Sequence, residues 1–271
     1  MNKPIIKIVF TDLDGTLLNS SGMVSEANLK MLHQLKQKNI LRVLATGRNL
    51  YSLSKVISAD FPVDYVIFST GVGIMNWKTK QLVHTTNLEE KQIQYISRIL
   101  IKNNQNFMLQ WPFPENHRFY YLKNGRIGED FQRRIELYKE FAQPVEQAEM
   151  KIASQFLTIF DDLESFNRVK KQLEGVKVVR ATSPLDYKSI WMEIFHDKVC
   201  KGMGCQWLCH HLNVNRMHTI GIGNDFNDLD MLHWTAHSFV VENSHAELKA
   251  DFKVTNHHDN HAFHEVLKDF V

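Results

Sequence analysis

Three short apolar runs near the start of the chain each stop at a polar or glycine step, and this rhythm narrows the possible folds most. Ile5-Ile6-Lys7-Ile8-Val9-Phe10 runs into Thr11-Asp12, with Gly15 close behind. Ile40-Leu41-Arg42-Val43-Leu44-Ala45 runs into Thr46-Gly47-Arg48, and Tyr65-Val66-Ile67-Phe68 into Ser69-Thr70-Gly71. Runs this short, rich in branched aliphatics, read as buried strands. Between the first two, Ser25 can cap a helix in which Ala27, Met31, Leu32 and Leu35 recur at helical spacing, ending at Asn39. A second helix is expected over residues 49–59. Strand, helix, strand, helix, strand in that order predicts parallel strands joined by right-handed crossovers. Ligands of such open sheets sit beyond the carboxyl ends of the strands, where the polar steps fall.

The middle of the chain changes character. A helix is predicted over 88–102, with Ile93, Ile96, Ile99 and Leu100 on one side. Strands are predicted at 107–111, 118–122, 155–160 and 176–179, with a helix through Phe166, Val169 and Leu173. Pro112-Phe113-Pro114 is a loop signal. The doubly wound pattern then resumes: a helix at 201–212, a strand at 218–222, the segment Gly223-Asn224-Asp225-Phe226-Asn227-Asp228 opening a helix, and a strand at 239–241. The expected fold class is α/β. A doubly wound, mainly parallel Rossmann-like core, residues 1–83 and 189–271, carries an inserted α+β cap over 84–188.

Composition excludes several classes. The balance of 44% hydrophobic and 23% charged residues is that of an ordinary soluble chain. No apolar run approaches the roughly 18 residues of a membrane helix. Met1-Asn2-Lys3-Pro4 and the short run behind it lack the core and cleavage site of a secretory leader, so a cytoplasmic location is expected. A net charge of +2 without a basic stripe gives nucleic-acid binding little support. A monomer or weak homodimer is the expected state. Cys205, Cys209 and His210 invite a zinc reading, but the two cysteines fit one face of a helix and read better as buried thiols. His257, His258, His261 and His264 permit a surface metal cluster, though a solvated helix face is the plainer account.

Asp12 and Asp14 bring chemistry to the end of the first strand. Two carboxylates that close repel each other, and burial disfavours their charged forms. A divalent cation resolves this, and Mg²⁺ prefers carboxylate, carbonyl and water oxygens. An aspartate beside such an ion can attack phosphorus, and its neighbour can serve as general acid and base. Thr46 can donate a hydroxyl hydrogen bond to phosphate, or it is a plain turn residue. Lys201, beside Gly202 at a helix start, can neutralise phosphoryl charge, although a lone lysine is usually solvated. Asp225 and Asp228 could hold the cation or simply cap the next helix.

Together, Asp12-Leu13-Asp14-Gly15-Thr16-Leu17, Ala45-Thr46-Gly47-Arg48, Lys201-Gly202 and Gly223-Asn224-Asp225-Phe226-Asn227-Asp228 resemble, in order, the four motifs of the haloacid dehalogenase superfamily. The large insertion resembles the cap of its Cof-type, class IIB branch. The resemblance implies Asp12 as nucleophile and metal ligand, and Asp14 as general acid/base and a ligand through its carbonyl. It implies Thr46, Gly47, Lys201 and Asn227 around the phosphoryl group. Mg²⁺ is the implied cofactor, and a sugar-phosphate phosphatase the implied activity. The family usually writes Gly-Asp-x-x-Asn-Asp where this chain has Asn224. Asn224 could bind through its amide oxygen, Asp225 could take over through a loop shift, or Asp228 could act directly or through water. The aligned position favours Asn224, with Asp228 nearby. Ser69-Thr70-Gly71 also departs from the family's Asn-Asn-Gly-type turn, leaving Thr70 and Gly71 as possible contacts.

Two other functions fit the same residues. The phosphoryl group could pass to a sugar hydroxyl, making a mutase or phosphotransferase. The chain could instead be a non-catalytic sugar-phosphate-binding regulator, which only Asn224 favours. In the inserted region, Trp111, His117 and Arg118 could touch a sugar, with core packing the plainer role for the aromatics.

Overall fold

A computed structural model describes residues 4–145 and 150–271; Met1–Lys3, part of the leader reading above, lie outside the described residues. Two compact units divide the chain, one from its start to Thr85 together with Cys200–Val271, the other Thr86–Val199.

The first unit opens with β1 (Ile8–Thr11), α1 (Glu26–Gln37), β2 (Leu41–Ala45), α2 (Leu50–Leu53), β3 (Tyr65–Phe68), β4 (Gly73–Asn76) and β5 (Gln81–Thr85). The inserted unit carries β6 (Leu88–Glu89), α3 (Glu90–Lys102), β7 (Phe107–Gln110), β8 (Phe119–Leu122), α4 (Glu129–Leu137), β9 (Ala142–Pro144), β10 (Ile152–Ala153), β11 (Gln155–Phe160), α5 (Leu163–Lys170), β12 (Val176–Thr182) and β13 (Ile190–His196). The first unit then closes with α6 (Lys201–His211), β14 (Thr219–Gly223), α7 (Leu229–Trp234), β15 (His237–Val240), α8 (Ala246–Asp251), β16 (Lys253–Val254) and α9 (Ala262–Leu267).

The first unit is built on one eight-stranded sheet, ordered β16-β15-β14-β1-β2-β3-β4-β5. All neighbours from β16 to β3 pair in parallel, and β4 and β5 add an antiparallel edge. β1 therefore lies inside the sheet between β14 and β2, and all four of its residues are buried. That burial explains its nearly continuous apolar sequence. Beneath one face, Ile8, Phe10, Val43, Ala45 and Ile67 pack with Cys205, Leu208 and Cys209 of α6. Gly204 is needed there, because a Cβ would stand 2.8 Å from Ile67 Cγ2. Ser25 caps α1 by accepting from the Asn28 N–H, and Met31, Leu32 and Leu35 are its buried residues.

The inserted unit has its own six-stranded mixed sheet, β12-β13-β11-β7-β8-β9, and a small β10-β6 pair. Ile93, Ile96 and Leu100 of α3 and Phe166 and Val169 of α5 share a core with Phe107, Leu109, Phe156, Met192 and Ile194. The segment 189–199, assigned from the sequence to the core domain, falls in this unit. The reason is β13, which runs antiparallel to both β11 and β12.

Other boundaries shift for local reasons. The helix expected over 49–59 is a single turn. Ser52 and Ser54 hydroxyls donate back to the Asn49 and Tyr51 carbonyls, competing with further helical growth. Leu88 and Glu89 pair with β10 instead of starting α3. The β4–β5 hairpin has no counterpart in the sequence reading. Its turn is held by Asn76 Oδ1, which accepts from the N–H groups of Lys78 and Thr79.

A buried ion pair locks β2 to the start of β3. Arg42 donates to both oxygens of Asp64 from Nε and Nη2, each at 2.9 Å, and Lys78 adds a contact at 2.8 Å. Burial would raise the Asp64 pKa, but Lys78 and Arg42 together hold it below its usual value. The Asp64→Asn variant should lose about 3 kcal/mol, because it strands the Arg42 charge in the interior. The depressed carboxyl stabilises the fold above its usual pKa of 3.8, and this is lost as pH falls through the lower folded value. Denaturant melts across the acid range should therefore show a steeper acid loss in the wild type than in the variant.

Candidate phosphoryl-transfer site

The polar residues at the ends of β1, β2, β3 and β14 meet at one edge of the first unit's sheet, joined by the start of α6. The Asp12 N–H still donates to Ile222 O at 2.9 Å, so Asp12 is fixed by the β1–β14 ladder. The chain then turns through Leu13–Leu17, closed by a bond from Leu18 N–H to Leu13 O. Gly15 sits in this turn at φ +73°, and a Cβ there would lie 2.7 Å from one end of the Asn224 amide. Both facts require glycine.

Lys201 is the centre of the site. It is 0% exposed, far from the solvated lysine that its residue type alone suggests. Its Nζ donates to Asp12 Oδ1 and to Asp228 Oδ1, both at 2.6 Å. Two close approaches seat it. A Cβ on Gly202 would stand 2.4 Å from Asp230 O, and one on Gly71, at φ +113°, would stand 2.5 Å from Cys200 O. So Gly71 serves by letting the turn after β3 press against the residue before Lys201.

Asp228 was a candidate ligand, but both of its oxygens are engaged. Oδ1 accepts from Lys201, and Oδ2 accepts from the backbone N–H groups of Asn224 and Asp225, at 2.9 and 3.1 Å. Asp228 thereby fixes the loop and the lysine together. Asp225 caps the turn that follows, accepting from Phe226 N–H at 2.8 Å, and faces His245 Nε2 at 3.4 Å.

Asn224 takes the place beside Asp12. Of its two amide orientations, one sets Nδ2 against Asp14 O and Thr16 Oγ1, each at 3.1 Å, and Asp12 Oδ2 at 3.2 Å. The reverse sets the amide oxygen against two other acceptors and keeps only a bond from the Thr16 hydroxyl. The first orientation is the one the hydrogen-bond network supports.

The second strand contributes Thr46, fully buried, whose Oγ1 accepts from the Arg48 N–H at 3.1 Å and so keeps its hydrogen to donate. A Cβ on Gly47 would lie 3.5 Å from Asn227 Nδ2 and 3.7 Å from Thr70 Oγ1, so these three are neighbours. The Thr70 N–H donates to Thr46 O at 3.0 Å, which ties the loops after β2 and β3 together. The candidates of the four motifs thus lie in one linked set of contacts, with Asp225 turned toward His245.

One participant was not anticipated. Arg48 grips Asp14 with a two-pronged contact, Nε to Oδ2 and Nη2 to Oδ1, both at 2.7 Å. Its only sequence signal was its place in Ala45-Thr46-Gly47-Arg48.

The charges are unbalanced. Asp12, Asp14 and Asp228 face Lys201 and Arg48. Burial, then Asp228 and Asp14, push the Asp12 carboxyl up to about 7 against the opposing pull of Lys201. Burial works against the charged Lys201, but Asp12 and Asp228 outweigh it and raise its pKa. The oxygens beside Asn224 are a carboxylate, a backbone carbonyl and, if the amide turns, an amide oxygen. This all-oxygen set suits a hard divalent cation.

The other candidates have structural partners. Cys200, Cys205 and Cys209 are all buried. Burial pushes the Cys205 thiol well up and the Cys209 thiol to about 12. His257, His258 and Asp259 lie within 4.8 Å of one another, the one such group of possible ligands among the described residues. Two of these side chains anchor the segment after Leu17, His258 on Leu18 O and Asp259 on Ser20. In the inserted unit, Arg118 pairs with Glu115 and lies 5.9 Å from the Trp111 ring, and His117 meets the Phe141 ring edge-on at 4.7 Å. No helix among the described residues is long and apolar enough to cross a membrane.

Known proteins share this fold. A family profile described as haloacid dehalogenase-like hydrolase matches residues 9–267. The chain belongs to the haloacid dehalogenase-like hydrolases. Among curated relatives, YxeH of Bacillus subtilis (strain 168) is 24% identical over 276 residues, 96% of this chain and 98% of that one. The 5-amino-6-(5-phospho-D-ribitylamino)uracil phosphatase YwtE of the same organism is 24% identical over 264 residues, 90% of each chain. The fold matches a haloacid dehalogenase phosphatase, BT1666 of Bacteroides thetaiotaomicron, at TM-score 0.80 and 20% identity, covering 98% of this chain and 95% of that one. It also matches the subclass IIB sugar phosphatase BT4131 at TM-score 0.77 and 18% identity, over 97% and 98%.

Two outcomes are expected. In metal-free protein, the raised Asp12 pKa means its contribution to stability is complete at low pH and is lost as pH rises through about 7. Thermal melts with chelator should show Asp12→Asn more stable than wild type above that pH, the gap closing below it; a lower midpoint at every pH would refute this. Second, a thiol reagent at mildly alkaline pH should label the native protein slowly and all three cysteines once guanidinium unfolds it.

Proposed function

We propose that the chain hydrolyses small phosphomonoesters of the sugar-phosphate type through an aspartyl-phosphate on Asp12, with Mg²⁺ as cofactor. The observation that carries this is the fully buried Lys201 bridging Asp12 and Asp228, beside a point where Asp12 Oδ2 and Asp14 O converge. The names of the relatives support the substrate class, since one is a sugar phosphatase and another acts on a phosphorylated ribityl compound.

Each residue has a task in this reaction. The phosphoryl group sits among Thr46, Gly47, Asn227 and Lys201, whose hydrogen-bond donors match the negative charge of its oxygens. An Asp12 carboxylate oxygen attacks phosphorus, and the ester P–O bond breaks. Asp14 gives its proton to the departing alkoxide. Asp14 then takes a proton from water, whose oxygen attacks phosphorus and frees Asp12 and inorganic phosphate. Before it can do either, Asp14 must leave the Arg48 fork that engages both of its oxygens. The Asp12 carboxylate, the Asp14 carbonyl and Asn224 would hold Mg²⁺, which supplies positive charge to the phosphoryl oxygens. Asp228 keeps Lys201 and the Asn224 loop in place.

The test is phosphate release from a panel of sugar phosphates and an aryl phosphate, with Mg²⁺ and with chelator. Asp12→Asn should cut turnover by about 10³-fold or more while keeping the fold. Full activity in that variant would remove Asp12 from its role. Transfer to a sugar hydroxyl without phosphate accumulating would favour the mutase reading. Ligand binding with no turnover across the panel would favour a regulator.

A further inference from the structure

In the orientation the hydrogen-bond network supports, the Asn224 amide does what a cation would otherwise do. Its nitrogen faces three oxygens, Asp14 O, Thr16 Oγ1 and Asp12 Oδ2, at 3.1, 3.1 and 3.2 Å. An amide nitrogen carries two hydrogens and no lone pair available to a metal. In that orientation it can donate to two of these acceptors at a time but cannot be a ligand.

The side chain has little freedom to step aside. Its amide lies where a Gly15 Cβ would be only 2.7 Å away, and Gly15 O is held from the other side by Asn243 Nδ2 at 2.9 Å. The backbone N–H of Asn224 is fixed by Asp228 Oδ2. What the packing leaves is a half-turn of the planar amide about its Cβ–Cγ bond. Such a turn exchanges nitrogen and oxygen in nearly equal space. Thr16 can follow it, because a hydroxyl can accept from Nδ2 in one state and donate to Oδ1 in the other.

We propose that Asn224 is a two-state amide, an internal hydrogen-bond donor to Asp12 and Asp14 when metal is absent and a cation ligand through Oδ1 when metal is bound. This rests on the metal-dependent reading above and says how this chain departs from its family. A cation must displace a donor already satisfied by the protein, and it gains a neutral oxygen where the family supplies a carboxylate. Both effects weaken divalent-cation binding. The same amide steadies the empty site, since a carboxylate in its place would press on Asp12 Oδ2 and the Asp14 carbonyl.

The test is Asn224→Asp, a change of nearly equal size, measured by calorimetric titration of Mg²⁺ and by thermal melting with chelator. The variant should bind Mg²⁺ about 10-fold tighter or more, because ligand charge sets affinity. Its metal-free melting midpoint should fall below that of the wild type, with a larger rise on adding Mg²⁺. Equal affinities and equal metal-free midpoints would overturn the two-state amide while leaving the cation site standing. If neither protein binds Mg²⁺, the metal-dependent reading fails and takes this inference with it. As a control, Asn224→Ala removes donor and ligand together. It should lower the metal-free midpoint and weaken Mg²⁺ binding; an unchanged value of either would overturn the corresponding role.

Discussion

The buried contact of Lys201 with Asp12 and Asp228 is the constraint on which the rest of the first unit depends. A fully buried ammonium is tolerated only when paired. Its two carboxylates come from different elements, one at the end of β1 and one in the turn before α7. Bringing them to one nitrogen requires β1 and β14 to be neighbours and α6 to begin at their ends. Gly71 and Gly202 meet the same demand, each giving up a side chain so that backbone can approach backbone. Lysine, sheet order and glycines are thus one solution to a single electrostatic problem.

That solution leaves acid in excess, and the surplus gives the site its chemistry. Asp228 is spent on structure, with every oxygen engaged. Asp14 is held by a guanidinium, and Asp12 shares its lysine. The Asp12 carboxyl is pushed up to about 7, because burial and its acidic neighbours disfavour its charged form more than Lys201 favours it. A site that disfavours the charge on its own carboxyl favours an added positive charge beside it.

Much of this was legible in the sequence, for a physical reason. The parallel sheet writes itself as apolar runs, and its ligand edge as the polar steps that end them, so Asp12, Asp14 and Thr46 could be placed from the sequence, while Lys201 needed the four-motif resemblance. What could not be read depends on contacts between residues far apart in the chain. The Arg48–Asp14 fork spans 34 positions and the Thr16–Asn224 contact 208, and neither leaves a local pattern. The sequence reading found no strand over 190–196 and ended the cap at 188, whereas β13 joins the inserted unit's sheet, because a buried run does not say which sheet it will join. The single turn of α2 reflects serine hydroxyls competing for the backbone, a balance that helical spacing does not record.

The place of β1 inside the sheet bears on how the chain is made. One neighbour, β2, follows within a few dozen residues, but the other, β14, begins only at Thr219, after the whole inserted unit. At synthesis rates of about 5–20 residues per second, β1 waits on the order of ten seconds with one edge unpaired. The inserted unit, continuous from Thr86 to Val199, has every strand of its sheet before β14 emerges. For most of that interval Asp12 has been made and Lys201 has not, so the nascent chain carries the aspartate without the charge that later holds it.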